Sequence, residues 1–230
     1  MVNLSFWAVI SLAMTLAFYY LSKLIYKIKP NLLFMPLIFA PLLLVAAVLS
    51  FDIPYSDYMA DSHWLLWMLG PATVAFAVPV YDNRVLIRRH WMSLLVGVSV
   101  SVLVAVTSTV FLARWLALPE LLQRSMAMRS ITTPFAVEAT KMVGGESDLT
   151  ALFVVLTGVI GMAVGEIVLA FFSIRSRFGK GASLGASAHG AGTAKAYQLG
   201  SSEGVVSSVV MMFAGMMTVL IAPFIGNILW

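Results

Sequence analysis

At 230 residues, 61% of them hydrophobic and only 10% charged, with a mean hydropathy of +0.97, the chain lies far outside soluble composition; it reads as a polytopic membrane protein with no room for a soluble domain. It has no cysteine, which excludes disulfides and thiolate metal sites. Its net charge of +4 sits in short loops, so it bears on membrane orientation and gives no reason to expect nucleic-acid binding.

The first apolar span, 6–25, lacks a preceding basic region and a following cleavage site, so it reads as a retained helix closed by Lys23, Lys27 and Lys29. Residues 31–50 form the second span, with Pro36 and Pro41 inside it, tolerable where neighbours satisfy the freed carbonyls. An acidic loop carrying Asp52, Asp57 and Asp61 leads to Trp64 and Trp67, which open the third span at an interfacial aromatic position. That span is interrupted by Gly70-Pro71 and ends at Pro79, ahead of Arg84, Arg88 and Arg89. Further spans cover 91–112, 149–174 (closed by Arg175, Arg177 and Lys180) and 205–229.

Nine of the fourteen basic residues lie in three loops, near 23–29, 84–89 and 175–180, and the positive-inside rule places all three in the cytoplasm. The acidic loop and the N-terminus then face outward. The fifth span must return inward, so the region 114–148 begins and ends outside, and 181–204 begins and ends inside. The expected fold class is therefore an all-α polytopic membrane protein with six crossings and two re-entrant, broken-helix segments entering from opposite faces. The count rises to seven or eight if 119–130 or 183–199 crosses. Residues 1–230 form one membrane domain, in which 1–63 supply scaffold spans and 64–230 the core with broken helices.

The first entering segment is Ser130-Ile-Thr-Thr-Pro-Phe-Ala-Val-Glu-Ala-Thr-Lys-Met-Val-Gly-Gly145. Ser130, Thr132 or Thr133 can cap a helix whose first turn holds Pro134, and Gly144-Gly145 suits its end. The resulting helix of about ten residues spans about 15 Å, half a bilayer crossing. The second segment, 181–200, holds five glycines and six alanines and offers lipid almost no bulky apolar surface. It is expected to be a broken helix whose non-helical backbone is surrounded by protein or a wet cavity, the alternative being a flexible cytoplasmic loop. Phe76-Ala-Val78 and Phe135-Ala-Val137 each sit in a short proline-containing helix, and one crossing separates them, which points to an inverted repeat.

Paired interrupted segments direct attention to a midplane site. Helix starts near Thr132-Thr133-Pro134 and near His189-Gly190 aim N–H groups and hydroxyls inward, an arrangement suited to a small carboxylate. The candidate binding residues are Thr73, Thr132, Thr133, Pro134, Glu138, Ser187, His189, Gly190, Thr193 and Lys195, with Lys195 balancing the anion. Glu138 and Lys141, three apart on one helix face, either neutralise one another or work separately, and Glu166 follows a Gly161…Gly165 packing motif. Glu138, Lys141 and Glu166 are the candidates for charge coupling. Ordinary capping and kink repair would explain any one of these features alone. No metalloprotease, nucleophile-elbow, phosphate-loop or dinucleotide motif occurs, and Ser187 and His189 are too close to form a dyad, so neither an enzyme nor a cofactor is expected.

Gly70-Pro-Ala-Thr-Val-Ala75, Ser130-Ile-Thr-Thr-Pro134 through Gly144-Gly145, and Ala188-His-Gly-Ala-Gly-Thr-Ala-Lys195 carry a resemblance to the LrgB/CidB family of bacterial membrane proteins. The similarity runs from about 64 to 223 and is strongest to the family's YohK-type branch. It implies an inner-membrane protein, a small LrgA-like membrane partner, and kinship with plastidic glycolate/glycerate translocators and pyruvate carriers. The family is also described as holin/antiholin-like and linked to murein hydrolase control and lysis. The expected function is an alternating-access, elevator-like carrier of glycolate, glycerate, lactate or pyruvate, working as a homodimer in the lipid bilayer; the alternative is a holin-type pore or regulator.

Overall fold

With no water at bilayer depth, a chain this apolar must satisfy each backbone N–H and C=O within its own segment, and helices do so. The structure, a computed structural model, describes residues 6–75 and 77–229, without the side chains of 6–8, 32, 60–63, 66, 69, 72, 73, 77, 79, 227 and 229. Every regular element among the described residues is helical, and the protein is an all-α polytopic membrane protein. Among the described residues, four helices are long and apolar enough to cross a membrane: Val9–Ile28, Arg84–Trp115, Ser147–Phe171 and Ser201–Gly226. The chain divides into two units, Met1–Ala72 and Thr73–Trp230.

In the first unit α1 (Phe6–Ile28) packs against α2 (Pro36–Ser50) and α3 (Tyr55–Trp67). Thr15 Oγ1 of α1 lies 3.0 Å from the Tyr58 hydroxyl of α3, joining the two helices. Pro36 does not sit inside the second span as expected. It opens α2 after a 3₁₀ turn at Leu32–Phe34, because a residue without an N–H is tolerated where a helix begins. The expected third span is likewise not one helix. The chain breaks at Met68 and continues as α4 (Leu69–Ala75), and α5 covers Ala77–Asp82. Gly70-Pro71 is not the interruption; it lies in the first turn of α4, where proline is tolerated for the same reason. Phe76, the start of the first shared tripeptide, lies outside the described residues.

The second unit holds the rest. In α6 (Arg84–Trp115), kinked at His90, the buried stripe Leu94, Val98, Val102, Val106 and Val110 recurs every four residues. It packs in one core with Ala136, Ala139 and Val143 of α8 (Thr133–Val143) and Val206, Val209, Val210 and Ala214 of α11 (Ser201–Leu229). The opposite face of α6 exposes Leu95, Val96, Val100, Leu103 and Phe111, a surface suited to lipid.

Between α6 and α9 (Ser147–Phe171) the chain forms a hairpin, not a crossing. Its entering arm is α7 (Glu120–Ala127), only eight residues long, and its returning arm is α8. Arg124 Nη1 of α7 donates to Val143 O at the end of α8 (2.6 Å), and the Glu146 N–H donates to Ser125 Oγ (2.8 Å). These bonds hold the two arms side by side. A buried knot fastens the hairpin to α9: the Thr140 and Thr150 hydroxyls are 2.9 Å apart, and Thr150 Oγ1 lies 3.0 Å from Ser125 O. Gly144, at φ 73°, ends α8 in the left-handed conformation that its sequence predicts.

A second hairpin lies in α10 (Arg177–Leu199). The expected broken helix is present, and its break is one residue long: both arms, 177–188 and 190–199, are helical, and only His189 (φ 38°, ψ −118°) leaves the helix. The chain reverses there, since a Cβ added at Gly192 would lie 2.1 Å from Leu184 O. Small residues are needed for close packing between arms, and a helix interior can hold them when packing outweighs their poor propensity. The entering arm runs antiparallel to α9, with Leu184 against Gly165, Ala188 against Gly161 and His189 against Gly158. The returning arm follows α11, where Thr193 Oγ1 bonds Ser207 Oγ at 2.9 Å.

Hairpin one enters where α6 ends and α9 begins. Hairpin two enters from the other end, where α9 ends and α11 begins. That end is basic, with Arg84, Arg88 and Arg89 at the start of α6 and Arg175, Arg177 and Lys180 beside α10. The ring contact of His90 with Phe178, 4.8 Å between centroids, joins the two basic stretches. The two re-entrant segments read from the sequence are therefore present, and they enter from opposite ends.

Candidate functional site

The tips of the two hairpins converge on one stretch of α9. From hairpin one, Arg129 Nη1 donates to Thr157 Oγ1 at 3.1 Å. From hairpin two, His189 lies 3.1 Å from Val154 O through Nε2; a carbonyl only accepts, so Nε2 carries the proton and donates. Val154 and Thr157 are three residues apart, close to one turn of α9. Ser130 and Ile131 of tip one also line a crevice with Ala186 of hairpin two, Ser101 and Ala105 of α6, and Thr218 of α11. Thr157 is ten residues, about 15 Å, into α9, so the tips meet near its mid-depth.

The local sequence explains both tips. At tip one, Thr132 takes the extended conformation of an N-cap (φ −66°, ψ 144°) and Pro134 occupies the first turn of α8. The Thr132 side chain nevertheless makes no capping bond, although it is only 9% exposed. Among the described residues its hydroxyl has no hydrogen-bond partner. At tip two, His189 stands at a positive φ that glycine would adopt more cheaply; a histidine held there against its backbone preference points to a need for its ring. Gly158 leaves room for that ring, since a Cβ there would lie 2.8 Å from His189 Cε1. Gly190 differs from the packed glycines of the hairpin: a Cβ added there meets nothing within 4 Å, so the tip borders open space.

Arg129 sets the electrostatics. It is half-buried at mid-depth, and among the described residues the only hydrogen-bond partner of its guanidinium is the neutral Thr157 hydroxyl, with no acid in ion-pair range. A charged residue at this depth costs about 2.5–3.5 kcal/mol on insertion scales and is stable when paired or facing a wet cavity. Its remaining N–H donors and the buried Thr132 hydroxyl at the positive end of α8 together suit an anion.

The other residues singled out in the sequence distribute as follows. Thr133 and Pro134 form the first turn of α8 at the tip, and Ser187 is exposed on the entering arm, donating to Ser183 O (2.7 Å). Thr193 is committed to Ser207. Lys195 is not at the tips; on the returning arm, it pairs with Glu166 of α9 at 3.2 Å. Glu138 and Lys141 pair with each other at 2.8 Å, both 57% exposed on α8, away from the tips. The side chain of Thr73 in α4 lies outside the described residues. Arg129 and Thr157 were missed by sequence reasoning. The available signal was an arginine directly before Ser130, in a segment already marked as entering the membrane.

Among known proteins, the LrgB-like family profile matches residues 15–228. YwbG of Bacillus subtilis is 39% identical over 220 residues, covering 96% of this chain and 98% of its own length. YxaC of the same organism is 32% identical, covering 95% of both chains. Its antiholin-like protein LrgB is 33% identical, covering 86% of this chain and 85% of its own. No solved structure matches.

Proposed function

We propose that this chain, which belongs to the LrgB-like family, is a membrane carrier for small monocarboxylates such as glycolate, glycerate, lactate or pyruvate. The observation that carries this reading is Arg129: a mid-depth guanidinium whose only partner among the described residues is a hydroxyl, three residues before a buried N-cap threonine. One carboxylate would supply the missing negative charge and accept two of the open donors. The hairpins supply alternation. Each separates the tips from one end of the bundle, so movement of one at a time would expose the site to one side at a time. The proposal includes an elevator-like excursion of the two re-entrant hairpins against a homodimeric scaffold of the first and second spans, with the fourth as a further candidate, and with an LrgA-like partner.

The expected result in proteoliposomes is saturable uptake of radiolabelled glycolate or lactate, with competition among short hydroxy acids. Non-saturable leakage of unrelated solutes of similar size would instead favour a holin-type pore or regulator. The antiholin-like designation of the LrgB relative supports that second reading.

For orientation, we place the basic end in the cytoplasm of a bacterial inner membrane, with the N-terminus outside. A cysteine introduced at Asp52 of this cysteine-free chain is then expected to react with impermeant reagent from outside the cell. Labelling only from the cytoplasm would reverse the orientation.

A further inference from the structure

Among the described residues, one ion pair ties hairpin two to its surroundings: Lys195 Nζ to Glu166 Oε1, 3.2 Å. The lysine side chain is 24% exposed and the glutamate 51%, so the carboxylate is the accessible, replaceable partner. Glu166 also borders a cavity of about 400 Å³ at the basic end, lined by Leu169, Arg175, Lys180 and Leu199 among others. The cavity lies where α9 ends and where hairpin two starts and finishes. Arg175 and Lys180 belong to a loop whose charge already serves orientation, and a basic loop alone is not a site. The ion pair is a separate observation: Lys195, between this cavity and the tips, already binds a carboxylate in this geometry, one supplied by the chain itself.

We infer that this cavity is a second anion site, a vestibule in which an entering monocarboxylate meets Arg175 and Lys180 and then replaces the Glu166 carboxylate on Lys195 on its way to the tips. The inference rests on the carrier reading for its substrate. Exchanging one carboxylate for another leaves Lys195 paired throughout, so no uncompensated ammonium is created at depth. Displacing Glu166 also removes the ion pair between the returning arm of hairpin two and α9, which couples arrival from the basic end to loosening of that end. The cavity size falls within the range of small-ligand pockets.

The test uses proteoliposomes of uniform orientation in phosphatidylcholine, with KM for L-lactate measured from each end. Glu166→Gln removes the competitor and is expected to lower the basic-end KM about two- to fivefold, the span expected for a partly exposed ion pair, with the opposite-end KM unchanged. Arg175→Gln combined with Lys180→Gln is expected to raise the basic-end KM by a similar factor, an effect that shrinks at high salt. Unchanged KM at the basic end in both variants overturns the vestibule while leaving the carrier reading intact.

A direct measurement separates the two ideas further. Equilibrium dialysis of labelled L-lactate against Arg129→Gln protein, whose tip site is disabled, is expected to retain binding that Glu166→Gln strengthens. Such binding, together with no saturable transport by the wild-type protein, would sustain the vestibule and sink the carrier; absence of binding sinks the vestibule. Loss of the sided effect when phosphatidylglycerol is added to the vesicles would assign the cavity to a lipid headgroup and overturn the substrate assignment.

Discussion

Arg129→Gln is expected to abolish saturable carboxylate uptake while leaving the protein as stable as the wild type, or slightly more stable. The two halves of that result come from the same fact. Arg129 is a cation at mid-depth that makes one bond to a neutral hydroxyl, so its removal breaks little and relieves a desolvation cost. A charge-assisted bond to a substrate carboxylate is worth about 1.5–3 kcal/mol, so the variant should lose roughly ten- to a hundredfold or more in uptake at low substrate. Arg129→Lys keeps the charge but loses the planar fork and is expected to recover only part of the activity. Thermal unfolding in detergent, read beside uptake, decides the matter. A structural arginine would lower stability when removed, and a bystander would leave uptake intact.

How far the sequence revealed this site depended on what each residue must contact. Ser130–Gly145 and 181–200 were legible as broken segments because capping residues, the proline and the glycines act locally, within a turn or two. Their entry from opposite ends followed from loop charges, which need no tertiary information. The pairing of Lys195 was not legible. Its partner Glu166 lies 29 residues earlier (195 − 166), and only the reversal at His189 brings them together. Lys195 therefore looked like an available cation, while Arg129, one position outside the capped run, was not considered. That both arms of 181–200 are helical was less legible, because glycine's poor helix propensity acts locally. In the fold, the space the glycines leave for Leu184, Glu203 and Ser207 outweighs it. The break at Met68 has no comparable signal, since Gly70-Pro71 one turn later is the stronger breaker by sequence and is absorbed by the first turn of α4.

Gly192→Val is expected to be the most damaging single substitution in hairpin two, for a reason the sequence alone would not supply. A Cβ at Gly192 would stand 2.1 Å from Leu184 O and 2.8 Å from Ala188 Cβ, both on the facing arm. The nearer obstacle is backbone, which cannot rotate aside, so the arms must separate. Separation would also pull Thr193 from Ser207 and shift His189 from Val154 O, so packing and the tip fail together. Overpacking of this kind costs about 3 kcal/mol or more. For a chain of this length that corresponds to a fall in unfolding temperature of roughly 6–12 °C, accompanied by loss of uptake. Gly190→Ala, two residues away and also on the returning arm, is the control: its added Cβ meets nothing within 4 Å, so stability should hold. A Gly192→Val protein that unfolds at the wild-type temperature would mean that the arms do not close on one another. Hairpin two would then lose its role as the barrier between the tips and the basic end.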